Sequence, residues 1–371
     1  MKPANEIELS EVIRGANGPL RIVGGGTRAI GPLNAGEVLE TGALSGISLY
    51  EPGALTIVAG AGTPLSEVEA ELAKGGQRLP FEVPDLRGLL GRDGASTIGG
   101  VVSANAAGPR RIQAGACRDS LIGVRFVDGV GTIMKNGGRV MKNVTGYDLV
   151  KLLAGARGTL GVLTEVAFKV LPRPEVEATL TLDGLDPTAA VTAMAQALGS
   201  PFEVTGAAYL DGQVCLRIEG MAGSVAYRSA ALVKLLGAGW DVADAAHSAK
   251  LWSEIRDMTP FVGKPGAVWR ISVKPSDMPQ VLATLNEAQT LCDWGGGLIW
   301  ARVPDVNDAQ AVTLRACLAA LGGHATLVRA SDSVYATTPA FHPEPAGLAA
   351  LSASLRAKFD PRGILNPVGM G

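Results

Sequence analysis

Residues 22–36 read Ile22-Val23-Gly24-Gly25-Gly26-Thr27-Arg28-Ala29-Ile30-Gly31-Pro32-Leu33-Asn34-Ala35-Gly36, and the fold turns on how they are read. The apolar run Leu20–Val23 predicts a strand ahead of them. Gly24, Gly26 and Ala29 then satisfy the G-x-G-x-x-A pattern of dinucleotide-binding loops. Glu40, closing the next predicted strand over 38–40, even supplies an acid at the expected distance. That pattern, however, must open a helix whose N-terminal amides hold a pyrophosphate. Ile30 to Gly36 cannot form it, because Gly31, Pro32 and Gly36 interrupt the run. What remains is a short glycine turn between two strands. It is either an ordinary tight turn or a nest whose successive N–H groups, with the Thr27 hydroxyl, converge on a phosphate.

A second stretch weighs on that choice. Residues 96–118 read STIGGVVSANAAGPRRIQAGACR, with Gly99, Gly100, Gly108 and Gly115 set among Ser103, Ala104, Asn105, Ala106 and Ala107. Side chains this small do not fill a core. They let backbone come close to a large planar ligand and its diphosphate. A close-packed glycine-rich turn is the competing reading.

Around these loops the first half predicts short strands over 55–59, 122–127 and 162–170. A helix should begin with Thr63 as N-cap and Pro64 at its first position, bury Leu65, Val68 and Leu72, and stop at Gly75-Gly76. Leu171-Pro172-Arg173-Pro174 breaks the pattern and places a domain boundary there. Beyond it, strands over 179–182, 204–210, 214–219, 268–274, 298–303 and 325–329 alternate with helices, and Asp211-Gly212 signals a hairpin. This predicts an α+β unit, an antiparallel sheet with helices on one face. The expected domains are 1–173, 174–345, and a C-terminal helix and tail, 346–371, that returns to the first.

The chain has 371 residues, with 33 basic against 35 acidic and a net charge of −2, which gives no electrostatic reason to expect a nucleic-acid partner. No apolar run is long enough to span a bilayer, and the N-terminus lacks the features of a secretory signal. A cytoplasmic location is expected, with membrane contact only through a partner. Cys117, Cys215, Cys292 and Cys317 show no metal-ligand spacing, so no metal site is expected. The three histidines, His247, His324 and His342, all lie in the last third.

With both loops in view, the chain resembles the FAD-binding domains of the vanillyl-alcohol-oxidase, or PCMH, type. Val23, Gly24, Gly25, Gly26, Thr27 and Arg28 match that family's first pyrophosphate loop. Thr97, Ile98, Gly99, Gly100, Ser103, Asn105, Gly108, Gly115 and Asp119 match its second flavin-binding stretch. Gly158-Thr159-Leu160-Gly161-Val162-Leu163-Thr164-Glu165 resembles the segment that meets the adenine half, through Gly161 and Val162. Phe359-Asp360-Pro361 and Gly363-Ile364-Leu365-Asn366-Pro367 resemble the C-terminal signature of the D-lactate and glycolate branch. The resemblance implies a two-subdomain FAD-binding domain followed by a small α+β cap.

Met141 to Leu149, Gly108-Pro109-Arg110-Arg111 and Gly323 to Leu327 further resemble the FAD-binding subunits of bacterial glycolate oxidases. That implies a second flavoprotein subunit and an iron–sulfur subunit as partners, a small 2-hydroxy acid as substrate, and peripheral contact with the inner membrane through the complex. The attachment histidine of the family lies in the N-terminal half. This chain has none there, so FAD is expected to be held non-covalently. Cys117 matches no attachment motif.

Oxidising a 2-hydroxy acid needs a cation for the carboxylate and a base for the hydroxyl proton. Related dehydrogenases carry an H-x-H metal pair that this chain lacks. The remaining catalytic candidates are Arg270, alternating with Trp269 and Ile271 on a strand; His324 as a base; and Arg110 with Arg111 after the second loop. Each also has a structural reading: a solvated strand residue, a packed histidine, a phosphate or partner contact. Asp148 reads as a helix cap, and by resemblance Lys142 and Asn143 reach the flavin's polar edge. Three functions compete: a flavin subunit of glycolate oxidase, a self-sufficient FAD dehydrogenase for a small hydroxy acid, and an assembly subunit whose FAD is structural.

Overall fold

Leu20–Val23 pairs in parallel with Glu37–Glu40. Parallel neighbours ordinarily need a helical crossover. The computed structural model describes residues 1–32, 36–138 and 146–367, and no helix occurs among the described residues between these two strands. The glycine run is therefore a loop between strands. Met141 to Thr145, with Lys142 and Asn143, lie outside the described residues.

A five-stranded antiparallel sheet follows, in the order Ile47–Glu51, Thr56–Gly60, Val162–Lys169, Leu121–Val127, Ile133–Gly137. Helix Leu65–Lys74 buries Val68 and Leu72 in a core with Ile98, Val101, Val102, Phe126 and Phe168. It stops at Gly75 as expected. Its start differs from expectation. Pro64 occupies the N-cap without a side-chain bond, and Thr63 is engaged one turn earlier. Its hydroxyl donates to the Gly60 carbonyl at 2.7 Å and accepts from the Gly46 N–H at 2.9 Å.

An eight-stranded sheet is built entirely from residues 176–329. Its order is Asp241–Ala243, Val176–Leu182, Gln213–Gly220, Gly206–Leu210, Gln289–Asp293, Leu298–Val303, Ala267–Ser272, His324–Arg329. Every pairing in it is antiparallel. One face carries Trp269, Ile271, Leu216 and Ile299, covered by helices Pro187–Leu198, Ala222–Leu236, Met278–Thr284 and Ala311–Leu321. The expectation of helices on one face holds for these four. A further helix, Ala245–Arg256, lies across the other face, packing Trp252 and Ile255 against Ala208, Cys215 and Val268. Strand alternation puts Arg217, Glu219, Asp293, Arg270 and His324 on that second face, towards the glycine loops.

Helix Ala346–Phe359 buries no residue of its own. The tail after it returns to the first strand. Leu20 N–H donates to Ile364 at 2.7 Å, and Asn366 N–H to Leu20 at 3.0 Å. Arg362 binds the carbonyls of Ile13, Arg14, Ala16 and Gly129.

Candidate functional site

The two glycine loops meet around a cavity of about 360 Å³. Val23, Gly24, Gly25, Gly26, Thr27 and Arg28 line it from one side, and Thr97, Gly99, Gly100 and Ser103 from another. Gly161 and Val162 close it from the strand-start turn, joined by Arg157, Phe341 and Asn366. The volume falls in the ordinary range of cofactor sites.

The glycines serve first to let the loops touch. A Cβ on Gly24 would stand 2.4 Å from the Thr97 Oγ1, and one on Gly25 only 1.6 Å from the Ala95 carbonyl oxygen. Gly26 takes φ 69°, which a side chain rarely adopts. The resulting turn presents the backbone N–H groups of Gly24 to Arg28. None of them donates to a protein acceptor among the described residues. Consecutive unpaired amides beside the buried Thr27 form the concave donor surface that a diphosphate fits.

Arg28 holds the two loops together. Its guanidinium donates to the Pro84 carbonyl at 2.7 Å and the Ser96 hydroxyl at 3.2 Å, while its buried Nε has no partner among the described residues. Burial brings its pKa down to about 10. Asn366 does comparable work at the other end. Its Oδ1 accepts the Ile22 N–H at 2.9 Å and its Nδ2 donates to the Arg157 carbonyl at 2.8 Å. The C-terminal signature thus ties the first loop to the turn at 157–161.

Five of the expected cofactor residues do not line the cavity. Ile98 is buried in the core. Asn105, at φ 46°, accepts the Arg118 N–H at 3.0 Å. The Gly108 carbonyl accepts the Trp294 indole N–H at 3.0 Å. Gly115, at φ 79°, ends a helical turn, and Asp119 accepts the Ala116 N–H at 2.8 Å. These residues shape the loop behind the cavity wall. Asp148 caps helix Leu149–Leu153 through the Lys151 N–H, as read from sequence. Cys117 is fully buried, and burial pushes its thiol well above the usual value, so no thiolate is available there.

Arg110 is not available as a catalytic residue. Its guanidinium is bonded to both oxygens of Glu219, at 2.9 and 2.8 Å, and its N–H to Glu82 at 2.7 Å. Arg217 in turn bonds both oxygens of Glu82, at 2.9 and 3.1 Å, and Arg78 reaches Glu219 at 2.6 Å. This ion cluster joins the glycine-loop region to the eight-stranded sheet. Burial alone would push the Glu219 and Glu82 carboxyls up. The arginines beside them overcome it and hold both well below the ordinary carboxylate value. Asp293 is buried nearby, and burial outweighs its bond from the Trp294 N–H and the pull of Arg217 and pushes it up to about 7.

Arg270, by contrast, bonds no acid among the described residues. Its guanidinium lies 5.4 Å from the Trp294 ring, and Arg111 lies 4.5 Å from the same ring. Arg157 stacks on Phe341 at 4.8 Å. Burial, then the charges of Arg111 and Arg157, bring the Arg270 pKa down to about 10. His324 sits one strand away, in the row next to Arg270. Burial, then Arg270, His342 and Arg111, hold it below the usual histidine value, so its ring is neutral at pH 7. Trp294 was not among the candidates drawn from the sequence. It occupies a turn of three consecutive positive φ values, 55°, 67° and 102° at Trp294, Gly295 and Gly296. The signal that could have found it is a tryptophan followed by three glycines.

Residues 1–137 match a family model described as an FAD binding domain. Over 352 residues the sequence is 37% identical to the glycolate oxidase subunit GlcE of Escherichia coli (strain K12), covering 94% of this chain and 91% of that one. It is 45% identical over 85 residues to the glycolate oxidase subunit GlcD of Bacillus subtilis (strain 168), 23% of this chain and 18% of that one. It is 30% identical over 179 residues to a D-lactate dehydrogenase of Archaeoglobus fulgidus, 47% of this chain and 38% of that one. A solved alkyldihydroxyacetonephosphate synthase superposes with a TM-score of 0.72 over 99% of this chain and 76% of that one. At 17% identity, this match bears on the fold alone.

Proposed function

Since the chain belongs to the family of glycolate oxidase subunit GlcE, we propose that it is the FAD-binding subunit of a complex oxidising glycolate to glyoxylate, with electrons leaving through its flavin to a partner. The observation that carries this reading is the cavity between the two glycine loops, with its run of unpaired amides. FAD, when bound, supplies a ring that accepts the two electrons of the alcohol.

The chain's own part is to hold and orient. Gly24 to Arg28 would hold the diphosphate through backbone N–H groups and Gly161 and Val162 would hold the adenine half, while Arg28 and Asn366 keep the surrounding loops in register. A second flavoprotein subunit and an iron–sulfur subunit are the partners this reading calls for. The complex stands on the cytoplasmic side, and any membrane contact falls to a partner. FAD is held non-covalently: acid precipitation is expected to leave the yellow cofactor in the supernatant, and a coloured pellet refutes this.

The functional test is anaerobic bleaching of the flavin by glycolate, in the isolated chain and in the complex reconstituted with its partners. Bleaching that is fast only in the complex supports the subunit reading. A chain that carries no flavin, or a complex whose flavin on this chain never changes redox state, overturns it. A self-sufficient dehydrogenase is favoured by one observation, the Arg270–His324 pair of clamp and neutral base. Fast bleaching of the isolated chain selects that reading.

A further inference from the structure

Arg157 lines the cavity, and the positive charge does not end with it. Beyond it, beneath the eight-stranded sheet, stand Arg270 and Arg111, both against the Trp294 ring. Their central carbons therefore lie within about 10 Å of each other. None of the three guanidinium groups donates a hydrogen bond or joins an ion pair among the described residues. The ion pairs nearest in sequence belong instead to Arg110. The acid whose charge reaches Arg111 is Asp119, and its carboxylate already accepts the Ala116 N–H. Like charges gathered without a counter-ion repel one another, and each partly buried guanidinium also loses solvation. Such a group is stabilised when an anion enters between its members.

The surroundings give this anion a shape. Trp294 is held by its bond to the Gly108 carbonyl and by the positive-φ turn beneath it, so it forms a fixed flat wall against which both arginines rest. Arg157 lies likewise against the ring of Phe341. Planar guanidinium forks on fixed aromatic walls match planar carboxylates. His324, neutral on the neighbouring strand, adds a hydrogen-bonding group without further charge.

We propose that Arg270, Arg111 and Arg157 form a carboxylate-binding site belonging to this chain itself, which takes a small 2-hydroxy or 2-oxo acid and binds a two-carbon dicarboxylate more tightly than a monocarboxylate. The preference follows from charge. A monocarboxylate neutralises one of three cations, and a dianion neutralises two. Arg270 is the central member: it shares the Trp294 ring with Arg111, and the charge of Arg157 reaches it as well. Naming a hydroxy acid rests on the function proposed above; the anion site does not.

Titration calorimetry of the FAD-loaded chain tests this, with glycolate, oxalate, ethylene glycol and inorganic phosphate at one ionic strength. Oxalate is expected to bind one per chain, at least about threefold tighter than glycolate, and neutral ethylene glycol to give no saturable heat. Arg270→Gln should weaken oxalate binding about tenfold or more, with flavin content unchanged. If Arg270→Gln does not fold, Arg111→Gln, at an exposed position, should weaken it by a smaller factor. Absence of saturable binding by either carboxylate overturns the inference. So does unchanged affinity in whichever of these variants keeps its flavin. Phosphate binding as tightly as oxalate overturns the carboxylate assignment. A chain that holds FAD and supports turnover of the complex, yet binds no carboxylate, refutes this inference alone. A chain that binds oxalate but never carries FAD refutes the function proposed above alone.

Discussion

Arg110 and Arg111 are adjacent in sequence and opposite in fate. Arg110 is buried at 6% exposure, with its guanidinium forked onto Glu219. Arg111 lies on Trp294 with no acid bonded to it among the described residues. The same division runs through the molecule. Arg78, Arg110 and Arg217 share Glu82 and Glu219 at the seam between the glycine loops and the large sheet. Arg111 and Arg270 share the Trp294 ring, Arg157 lies on Phe341, and none of the three bonds an acid among the described residues. The contrast teaches that the same charged side chain is structural where its partner is built in and functional where the partner must arrive. The first cluster holds the sheet in place over the site, and the second is what the sheet brings there.

The sharpest break of the paired cluster is Glu219→Gln. It leaves Arg110 buried with one of its two acids gone, and half-buried Arg78 with no acid bonded to it among the described residues. Removing one member of a buried ion pair typically costs about 3–5 kcal/mol. Denaturant unfolding should show a loss of that order, and an unchanged midpoint would show that the cluster carries no stability. Acid acts on the same groups. Glu82 and Glu219 have folded values held below the ordinary 4.5. Their contribution is therefore fully present above that pH and is lost as pH falls through the depressed values.

Asp293, between the two clusters, behaves in the reverse sense. Its folded value of about 7 lies above the ordinary 3.8. Between those values the folded chain keeps a proton that the unfolded chain has released, so stability declines as pH rises through the window. Asp293→Asn removes the cost of burying the charge and can keep the acceptor for the Trp294 N–H. Each pH unit between the folded and unfolded values is worth about 1.4 kcal/mol. Relaxation of the protein around the charge offsets part of that cost, so the variant should be more stable at pH 8 by about 2 kcal/mol. The gain should vanish near pH 4. An equal gain at both pH values would mean that Asp293 is not the titrating group.

Those two clusters also mark where sequence reading ends. The loops were legible because glycine, proline and strand patterning act over a few residues. Gly31-Pro32 excluded the crossover helix, and the Asp211-Gly212 hairpin closes with φ values of 48° and 84°. Strand alternation alone put Arg270 opposite Trp269 and Ile271. Helix Ala245–Arg256 also carries a local signal, the Asp244 cap that its structure uses, although the strand-and-helix pattern did not include it. No local pattern, however, says that Arg110 meets Glu219 across 109 positions while Arg111 meets Trp294. Nor does any tie Phe341 to Arg157, or Trp294 to Gly108 across 186 positions. Which arginine is paired is a property of tertiary placement. Arg110 failed as a catalytic candidate for that reason, and Arg157 and Asn366 went unassigned for the same one.

The cofactor loop itself offers a break of intermediate size. Gly25→Ala sets a Cβ 1.6 Å from the Ala95 carbonyl oxygen, a contact that only backbone movement relieves. The two loops should part, and the purified protein should carry little FAD while the eight-stranded sheet region keeps its stability. Full flavin occupancy in this variant would show that the contact between the loops is not what shapes the site.

The smallest expected effect is the most informative about the comparison. Arg111→Gln removes a charge from the unpaired cluster at an exposed position. It breaks no ion pair and no side-chain hydrogen bond among the described residues, and it relieves repulsion on Arg270. Stability should change by no more than about 0.5 kcal/mol, in either direction, as for surface substitutions away from special features. The cation–π contact with Trp294 and the pull of Asp119 are lost; at exposed sites such a cation–π contact is worth about 0.5–1 kcal/mol, close to what the relieved repulsion returns. Next to a loss of several kcal/mol at Glu219, a near-zero result one residue from Arg110 would separate the clusters cleanly. A loss as large as that of Glu219→Gln would mean that Arg111 also has a protein partner, and that the cations on Trp294 are structural after all.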